Sequence, residues 1–300
     1  SFFTTSDGLV GTGEASAVGT GSLAEVKETA AGLEVLAPKL IGSKADDLEA
    51  SLPEMKLPAS LRFGIETALL DLKGQARGVP LSALLGGKPA SLAVNGLIAA
   101  ESAHQAVAEA LEAVRLGFTS LKLKVGGRTP WEDEELVSAV RRAIGPQVKL
   151  RLDPNQAWTV RQAIEAIVRL ARYQIEYVEQ PVAAPDIAGL AEVRRSVPVP
   201  VAADESLGSM NDLSALLDAG AADIFIIKAA RLGGLKSALE IATMSIKAGK
   251  SAVVTSSLES GVGIAASAHL AAALPAQPYS HGLATGLLFI EDLVSPTLIP

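Results

Sequence analysis

Five charged positions, Lys124, Asp153, Glu179, Asp204 and Lys228, each fall at the end of a short apolar segment. They close SLKLK, KLRLD, YVE, PVAAD and DIFIIK, and the steps between them are 29, 26, 25 and 24 residues. A step of that length holds one strand, one helix and two short loops, the repeat of a TIM-type (β/α) barrel. Side chains on a strand alternate between faces. Leu121, Leu123 and Val125 therefore share one face and Lys122 and Lys124 the other, Leu150 and Leu152 oppose Arg151 and Asp153, and Phe225 and Ile227 oppose Ile226 and Lys228. The outer face of a barrel strand packs on helices, so charges on the inner face belong near the open end, where barrel enzymes do their chemistry. Taken singly, each charge reads as a solvated residue on an edge strand. Five in register read as one site, three carboxylates between lysines.

A barrel takes about 250 residues, so 300 residues leave room for one barrel and a small additional element. The 49% hydrophobic content supplies a large core. Cysteine is absent, which excludes disulfides, thiolate metal sites and thiol catalysis and fits a reducing compartment. The expected location is the cytoplasm, or a plastid if the source is a photosynthetic eukaryote. A net charge of −7, with no basic cluster and no aromatic stacking platform, argues against nucleic acid as a partner. The longest nearly apolar stretch, Gly261 to Ala276, contains Ser267 and His269 and is shorter than a membrane span. It is expected as a buried barrel helix, with no membrane partner. No basic segment followed by an apolar core opens the chain, so no signal peptide is expected.

Residues 1–90 are expected to form a small α+β capping domain. Ser1 to Ala17 read as a hairpin with turn signals at Asp7-Gly8 and at Gly11 to Gly13. A helix is expected from about Leu23 and another over Leu61 to Lys73. In the latter Leu61, Ile65, Ala68, Leu69 and Leu72 make one apolar stripe, and Ser60 is placed to cap it. Residues 91–300 are expected to form a modified (β/α)8 barrel. Its strands lie near Leu92, Ser120, Val148, Glu176, Val199, Ile224, Ala252 and Gly282, with helices such as Ala103 to Leu116 and Val160 to Ala171 between them. The C-terminal tail is expected to return towards the cap.

Three carboxylates from adjacent strands, with no cysteine and no histidine close by in sequence, make a hard oxygen site suited to Mg²⁺, with Mn²⁺ as a substitute. Such an ion beside a small-molecule carboxylate eases removal of the proton on the adjacent carbon by neutralising the enediolate that forms. A lysine acting as base must lose its proton near neutral pH, and partial burial with neighbouring positive charge favours that. Lys124 on the second barrel strand and Lys228 on the sixth would face each other across the barrel.

These motifs resemble the enolase superfamily and, within it, the muconate-lactonising-enzyme subgroup. The resemblance covers nearly the whole chain, including the cap helix segment Arg62-Phe63-Gly64-Ile65-Glu66-Thr67-Ala68. It implies that Lys122-Leu123-Lys124 is a paired-lysine motif, that Asp153-Pro154-Asn155 carries the first metal ligand, that Glu179 and Asp204 are the other two, and that Lys228 is the opposing lysine. Within the subgroup the chain is most similar to the o-succinylbenzoate synthases, through Ser256-Ser257-Leu258-Glu259-Ser260 and Gly282-Leu283-Ala284-Thr285. That likeness implies a lyase of menaquinone or phylloquinone synthesis in which Ser256, Ser257, Glu259 and Thr285 meet the substrate. Racemisation of N-acylamino acids, muconate cycloisomerisation and dipeptide epimerisation are the alternatives in the same subgroup. A dipeptide ammonium usually needs an acidic partner near the last strands, and His281 to Phe289 contains none, while Glu291 and Asp292 are expected beyond the mouth. Two departures stand out: the chain is expected to begin after the family's first strand and covering loop, and Ala284 stands where an acid is often found.

Other candidates read as structural. His104 is expected at the surface and His269 in a core, whereas His281 could line the mouth. Arg151 points inward one step deeper than Asp153, where a structural salt bridge and a functional role are both open. Gly233-Gly234 reads as a tight turn rather than a phosphate loop, and Gln156 and Trp158 as loop packing. Asn155 lies at the mouth, within reach of substrate or of the metal's surroundings. A barrel kept as a non-enzymatic scaffold has no need of all five charges. Oligomeric state is left open by the residues.

Overall fold

A hairpin opens the chain, β1 (Phe2–Thr4) pairing antiparallel with β2 (Val10–Thr12). The computed structural model describes residues 2–5, 7–16 and 23–295, so the expected hairpin ends Ser1 and Ala17 lie outside the described residues. Asp7-Gly8 makes the turn, with Gly8 at φ 88. Gly11 to Gly13 does not. Gly11 sits inside β2, where an added Cβ would lie 2.2 Å from the Ala68 carbonyl oxygen, and one on Gly13 would lie 1.9 Å from that of Gly64. These glycines let the hairpin lie directly on a helix rather than turn the chain.

That helix is α3 (Ala59–Arg77), preceded by α1 (Leu23–Leu40) and α2 (Ala45–Ser51) and followed by the single turn α4 (Leu81–Leu84). Its apolar stripe is buried as expected, Leu61, Ile65 and Leu69 joining Leu40, Leu48 and Leu52 in a core of their own. Ser60 is not its cap. Extended Pro58 precedes the first turn without any side-chain cap bond, and Ser60 lies buried inside the helix, because proline pre-sets the backbone for helix entry.

Seven parallel strands follow in the order of the chain: β3 (Gly96–Ile98), β4 (Ser120–Lys124), β5 (Lys149–Asp153), β6 (Ile175–Glu179), β7 (Val201–Ala203), β8 (Ile224–Ile227) and β9 (Ser251–Val254). Between them run α5 (Ala103–Arg115), α6 (Pro130–Ile144), α7 (Val160–Leu170), α8 (Ile187–Ser196), α9 (Met210–Asp218) and α10 (Leu235–Lys247), and α11 (Gly261–Ala273) follows β9. Ser102, Thr129, Thr159, Asp186, Ser209 and Ser260 accept the first free backbone N–H groups of six of these helices, which is why each starts where it does. The expected eighth strand is only a pair of bridges, Val94 to His281 and Thr255 to Gly282, and these close the ring between β3 and β9. His281 reinforces the closure, its Nδ1 accepting the Val254 N–H at 3.0 Å.

The outward faces of the strands and the inner faces of the helices form one large apolar core. Inside the ring, Tyr177, Ile224, Ile226 and Val253 fill the floor. Arg151 is fully buried there, pairing with Glu176 at 2.6 Å and donating to Tyr177 Oη, Asn95 Oδ1 and the Ser280 carbonyl. It is a floor residue, not part of the mouth. Two carboxylates of the N-terminal element dock on barrel helices. Glu66 of α3 accepts the Leu235 and Lys236 N–H groups at the start of α10, behind Gly233-Gly234, and Glu14 accepts those of Ser260 and Gly263 at the start of α11. The helix start behind that glycine pair is therefore already filled by a carboxylate. Among the described residues no helix is long and apolar enough to cross a membrane.

Candidate active site

Lys124 pairs with Asp153 in the β4–β5 register, and Glu179 with Ala202, two residues before Asp204, so the expected residues sit at one end of neighbouring strands. Lys122, Lys124, Asp153, Asp204 and Lys228 line one cavity of ≈ 900 Å³ at that end, which the N-terminal element roofs with Glu28, Ala59 and Ser60. β4 and β8 are four stations apart in a ring of eight, which sets Lys124 opposite Lys228.

The charges form one network. Lys122 Nζ stands between Glu179 Oε1 at 2.9 Å and Asp153 Oδ2 at 3.1 Å, and Lys124 Nζ lies 2.7 Å from the same Asp153 oxygen. Across the ring, Lys228 Nζ meets Asp204 Oδ2 at 2.5 Å. Burial pushes the Glu179 carboxyl up to about 7, with Asp153 and Asp204 adding to the effect and Lys122 opposing it. Asp153 is equally buried, yet the ammonium groups of Lys122 and Lys124 hold it well below the usual carboxylate range. Against burial, Glu179 and Asp153 keep Lys122 firmly protonated, and Asp204 and Glu179 do the same for Lys228.

Two of the three carboxylates keep an oxygen without a hydrogen bond, although Arg231 Nη1 lies 4.0 Å from that of Asp204. Glu179 Oε2 and Asp204 Oδ1 are buried and have no hydrogen-bond partner. Unpartnered buried oxygens carry a desolvation cost that a hard divalent cation would relieve. Among the described residues no trio of Asp, Glu or His side chains is already grouped as an ion cage, because the lysines stand between the carboxylates. A cation taking these oxygens would re-pair those lysines. The donor set itself fits Mg²⁺ or Mn²⁺.

The expected substrate contacts divide. Asn155, Ser256, Ser257 and Thr285 line the cavity. Ser256 Oγ and Thr285 Oγ1 lie 2.6 Å apart, and the buried Ser257 Oγ has no partner. Glu259 does not reach the wall. It is 1% exposed, its carboxylate folds back on the Ser257 N–H, and burial pushes it up to about 7, so it shapes a turn in which Leu258 adopts φ 66. His281, expected as a mouth candidate, is buried in the barrel seam; His104 is exposed, and His269 accepts the Ser82 N–H beside α4. Gln156 and Trp158 pack the loop, Gln156 Oε1 taking the Ala184 N–H. Sequence reasoning missed Gln180, Glu205 and Arg231. Gln180 Oε1 accepts the N–H groups of Asp204 and Ser206, Glu205 binds Asn155 at 3.1 Å, and Arg231 donates to the Glu205 carbonyl. For Gln180 and Glu205 the one signal is adjacency to the expected residues in YVEQP and PVAADES, and Arg231 follows Lys228 by three residues.

Residues 3–86 match the family described as mandelate racemase / muconate lactonizing enzyme, N-terminal domain, and residues 105–298 match the enolase C-terminal domain-like family. The chain belongs to the enolase superfamily, in its muconate-lactonising subgroup. It is 36% identical to the L-Ala-D/L-Glu epimerase of Clostridium acetobutylicum over 90% of this chain and 77% of that one. It is 45% identical to the o-succinylbenzoate synthase of Thermobifida fusca, over 61% of this chain and 57% of that one. The solved muconate lactonizing enzyme from Pseudomonas putida superposes with a TM-score of 0.91 at 33% identity, covering 97% of this chain and 83% of that one. The protein is thus an enzyme of this superfamily, and its relatives carry three different reactions.

Proposed function

We propose that the chain is an o-succinylbenzoate synthase, which dehydrates 2-succinyl-6-hydroxy-2,4-cyclohexadiene-1-carboxylate to 2-succinylbenzoate with Mg²⁺ held by Asp153, Glu179 and Asp204. The observation carrying this reading is the division of the cavity wall: opposed lysines over the carboxylates on one side, and on the segments after β9 and after the closing bridges Ser256, Ser257 and Thr285 with no acid. Asp292 accepts the Gly261 N–H at 3.0 Å and does not line the cavity, so it does not meet a substrate ammonium there. The bound ion would supply positive charge beside the ring carboxylate, lowering the cost of removing the adjacent proton. Lys124 takes that C1 proton and returns it to the departing C6 hydroxyl, so that water leaves and the ring becomes aromatic. Lys228, which Asp204 and Glu179 keep protonated, faces the other side of the ring and stabilises the charge that develops. Hydroxyls of Ser257, Ser256 and Thr285 receive the succinyl side. The 45% identity to the Thermobifida synthase supports this choice.

The epimerase relative matches more of the chain, which favours an isomerase as the second reading, with Lys124 and Lys228 exchanging protons on opposite faces. Rates on the cyclohexadiene, on both enantiomers of N-succinylamino acids and on L-Ala-L-Glu decide between them. The lyase reading expects the cyclohexadiene to be turned over fastest and Lys228→Ala to keep residual dehydration. Faster epimerisation of the dipeptide, which Glu28 on the cavity roof would have to accommodate, would contradict it.

A further inference from the structure

We propose that Glu205 is a positioning residue that orients Lys124 through the side-chain amide of Asn155. The inference rests on the reading of Lys124 as the base. Glu205 lies on the cavity wall, its Oε1 accepting from Asn155 Nδ2 at 3.1 Å, while Asn155 Oδ1 accepts from the Lys124 ammonium. An ionised carboxylate only accepts and an ammonium only donates. An asparagine amide between them is satisfied in one orientation, with its NH₂ towards Glu205 and its carbonyl towards Lys124. The flipped amide would set acceptor against acceptor and donor against donor.

Everything else about this asparagine is already held. Asn155 adopts φ 45, its N–H donates to Asp153 Oδ1 at 3.0 Å, and the next N–H, of Gln156, donates to the Gln180 carbonyl at 2.8 Å. Glu205 is held in turn by Arg231, which donates to its carbonyl at 2.8 Å. The amide flip is the remaining freedom, and Glu205 removes it. Without Glu205, Lys124 keeps its Asp153 contact but loses the partner that fixes its direction over the substrate. Misplacement of a reacting group costs rate in the chemical step more than it costs binding.

Steady-state kinetics and Mg²⁺ calorimetry on Glu205→Ala, Glu205→Gln, Asn155→Ala and the Glu205→Ala/Asn155→Ala double variant form the first arm. Glu205→Ala is expected to lower kcat about 10- to 100-fold, with KM and Mg²⁺ affinity within about threefold of wild type. Glu205→Gln, which still offers an acceptor, restores most of the rate, and the double variant is no slower than Asn155→Ala. Multiplicative losses in the double variant, or weakened Mg²⁺ binding in both Glu205 variants, would overturn the inference. The second arm needs no substrate: acetylation of Lys124 relative to Lys228, read by mass spectrometry. The ratio should rise in Glu205→Ala and not in Glu205→Gln, and Asn155→Ala should reproduce the rise if Glu205→Ala does not fold. An unchanged ratio in the alanine variants overturns the positioning role. Wild-type protein inert on every substrate refutes the functional reading instead.

Discussion

At the scale of single residues, charge pairing and geometry assign different tasks to chemically similar groups. Lys122 is wedged between two carboxylates with its side chain 14% exposed, whereas Lys124 is 33% exposed and faces the cavity. Lys124→Ala is expected to reduce turnover by at least about 100-fold with an unchanged circular dichroism spectrum; activity close to wild type would remove it as the base. Asp204→Asn should weaken Mg²⁺ binding measured by calorimetry, since it converts a carboxylate whose buried oxygen has no hydrogen bond into an amide. The charged residues that form this network were legible because strand alternation and βα spacing place them without knowledge of the loops. Glu205 and Gln180 were not. Their roles come from loop residues held at positive φ, Asn155 at 45° and Gln180 at 38°, which neither periodicity nor spacing reports.

At the scale of elements, two of the contacts that join the N-terminal element to the barrel are carboxylates on helix starts, beside the apolar packing of Phe63, Leu70 and Leu81 on the barrel core. Glu14 receives three bonds, from Ser260 N–H, Ser260 Oγ and Gly263 N–H, directly behind the loop that carries Ser256 and Ser257. Glu14→Ala should cost about 2 kcal/mol of stability in denaturant unfolding and raise KM, because the orphaned helix start frees the substrate loop. An unchanged unfolding midpoint and KM would refute that coupling. The barrel seam makes a pH prediction. Burial, aided by Arg151, lowers His281 from the usual 6.5 to about 4, so the folded state holds a neutral ring whose Nδ1 accepts the Val254 N–H. Between those values the unfolded chain binds the extra proton, so this stability is complete above pH 6.5 and falls as pH drops towards 4, by up to about 3 kcal/mol. His281→Asn should flatten the acid limb of the stability profile; an unaltered slope would contradict the assignment. Hairpin, stripe helix and strand rhythm were readable from pattern. The Gly11 to Gly13 approach, the Pro58 start of α3 and the two-bridge eighth strand were not, since each depends on what packs across from it.

At the scale of the whole molecule, a ring of parallel strands gathers residues from positions 122 to 285 at one mouth and the N-terminal element roofs it. Family membership follows from that frame and from matches over residues 3–86 and 105–298. The choice of reaction depends on the few side chains of the last two stations, where Ser256, Ser257 and Thr285 present hydroxyls and Asp292 is turned away to α11. Spacing reveals the charged network because strand ends set its positions whatever the loops do. It says less about the loops themselves, whose shape arises from side-chain directions such as the inward fold of Glu259. The most direct measurement is loss of diene absorbance from 2-succinyl-6-hydroxy-2,4-cyclohexadiene-1-carboxylate with Mg²⁺, alongside EDTA and Lys124→Ala controls. Rapid loss that EDTA and the lysine variant both abolish is the predicted result. No loss from wild-type protein that still binds Mg²⁺ would contradict the synthase assignment and leave the isomerase chemistry.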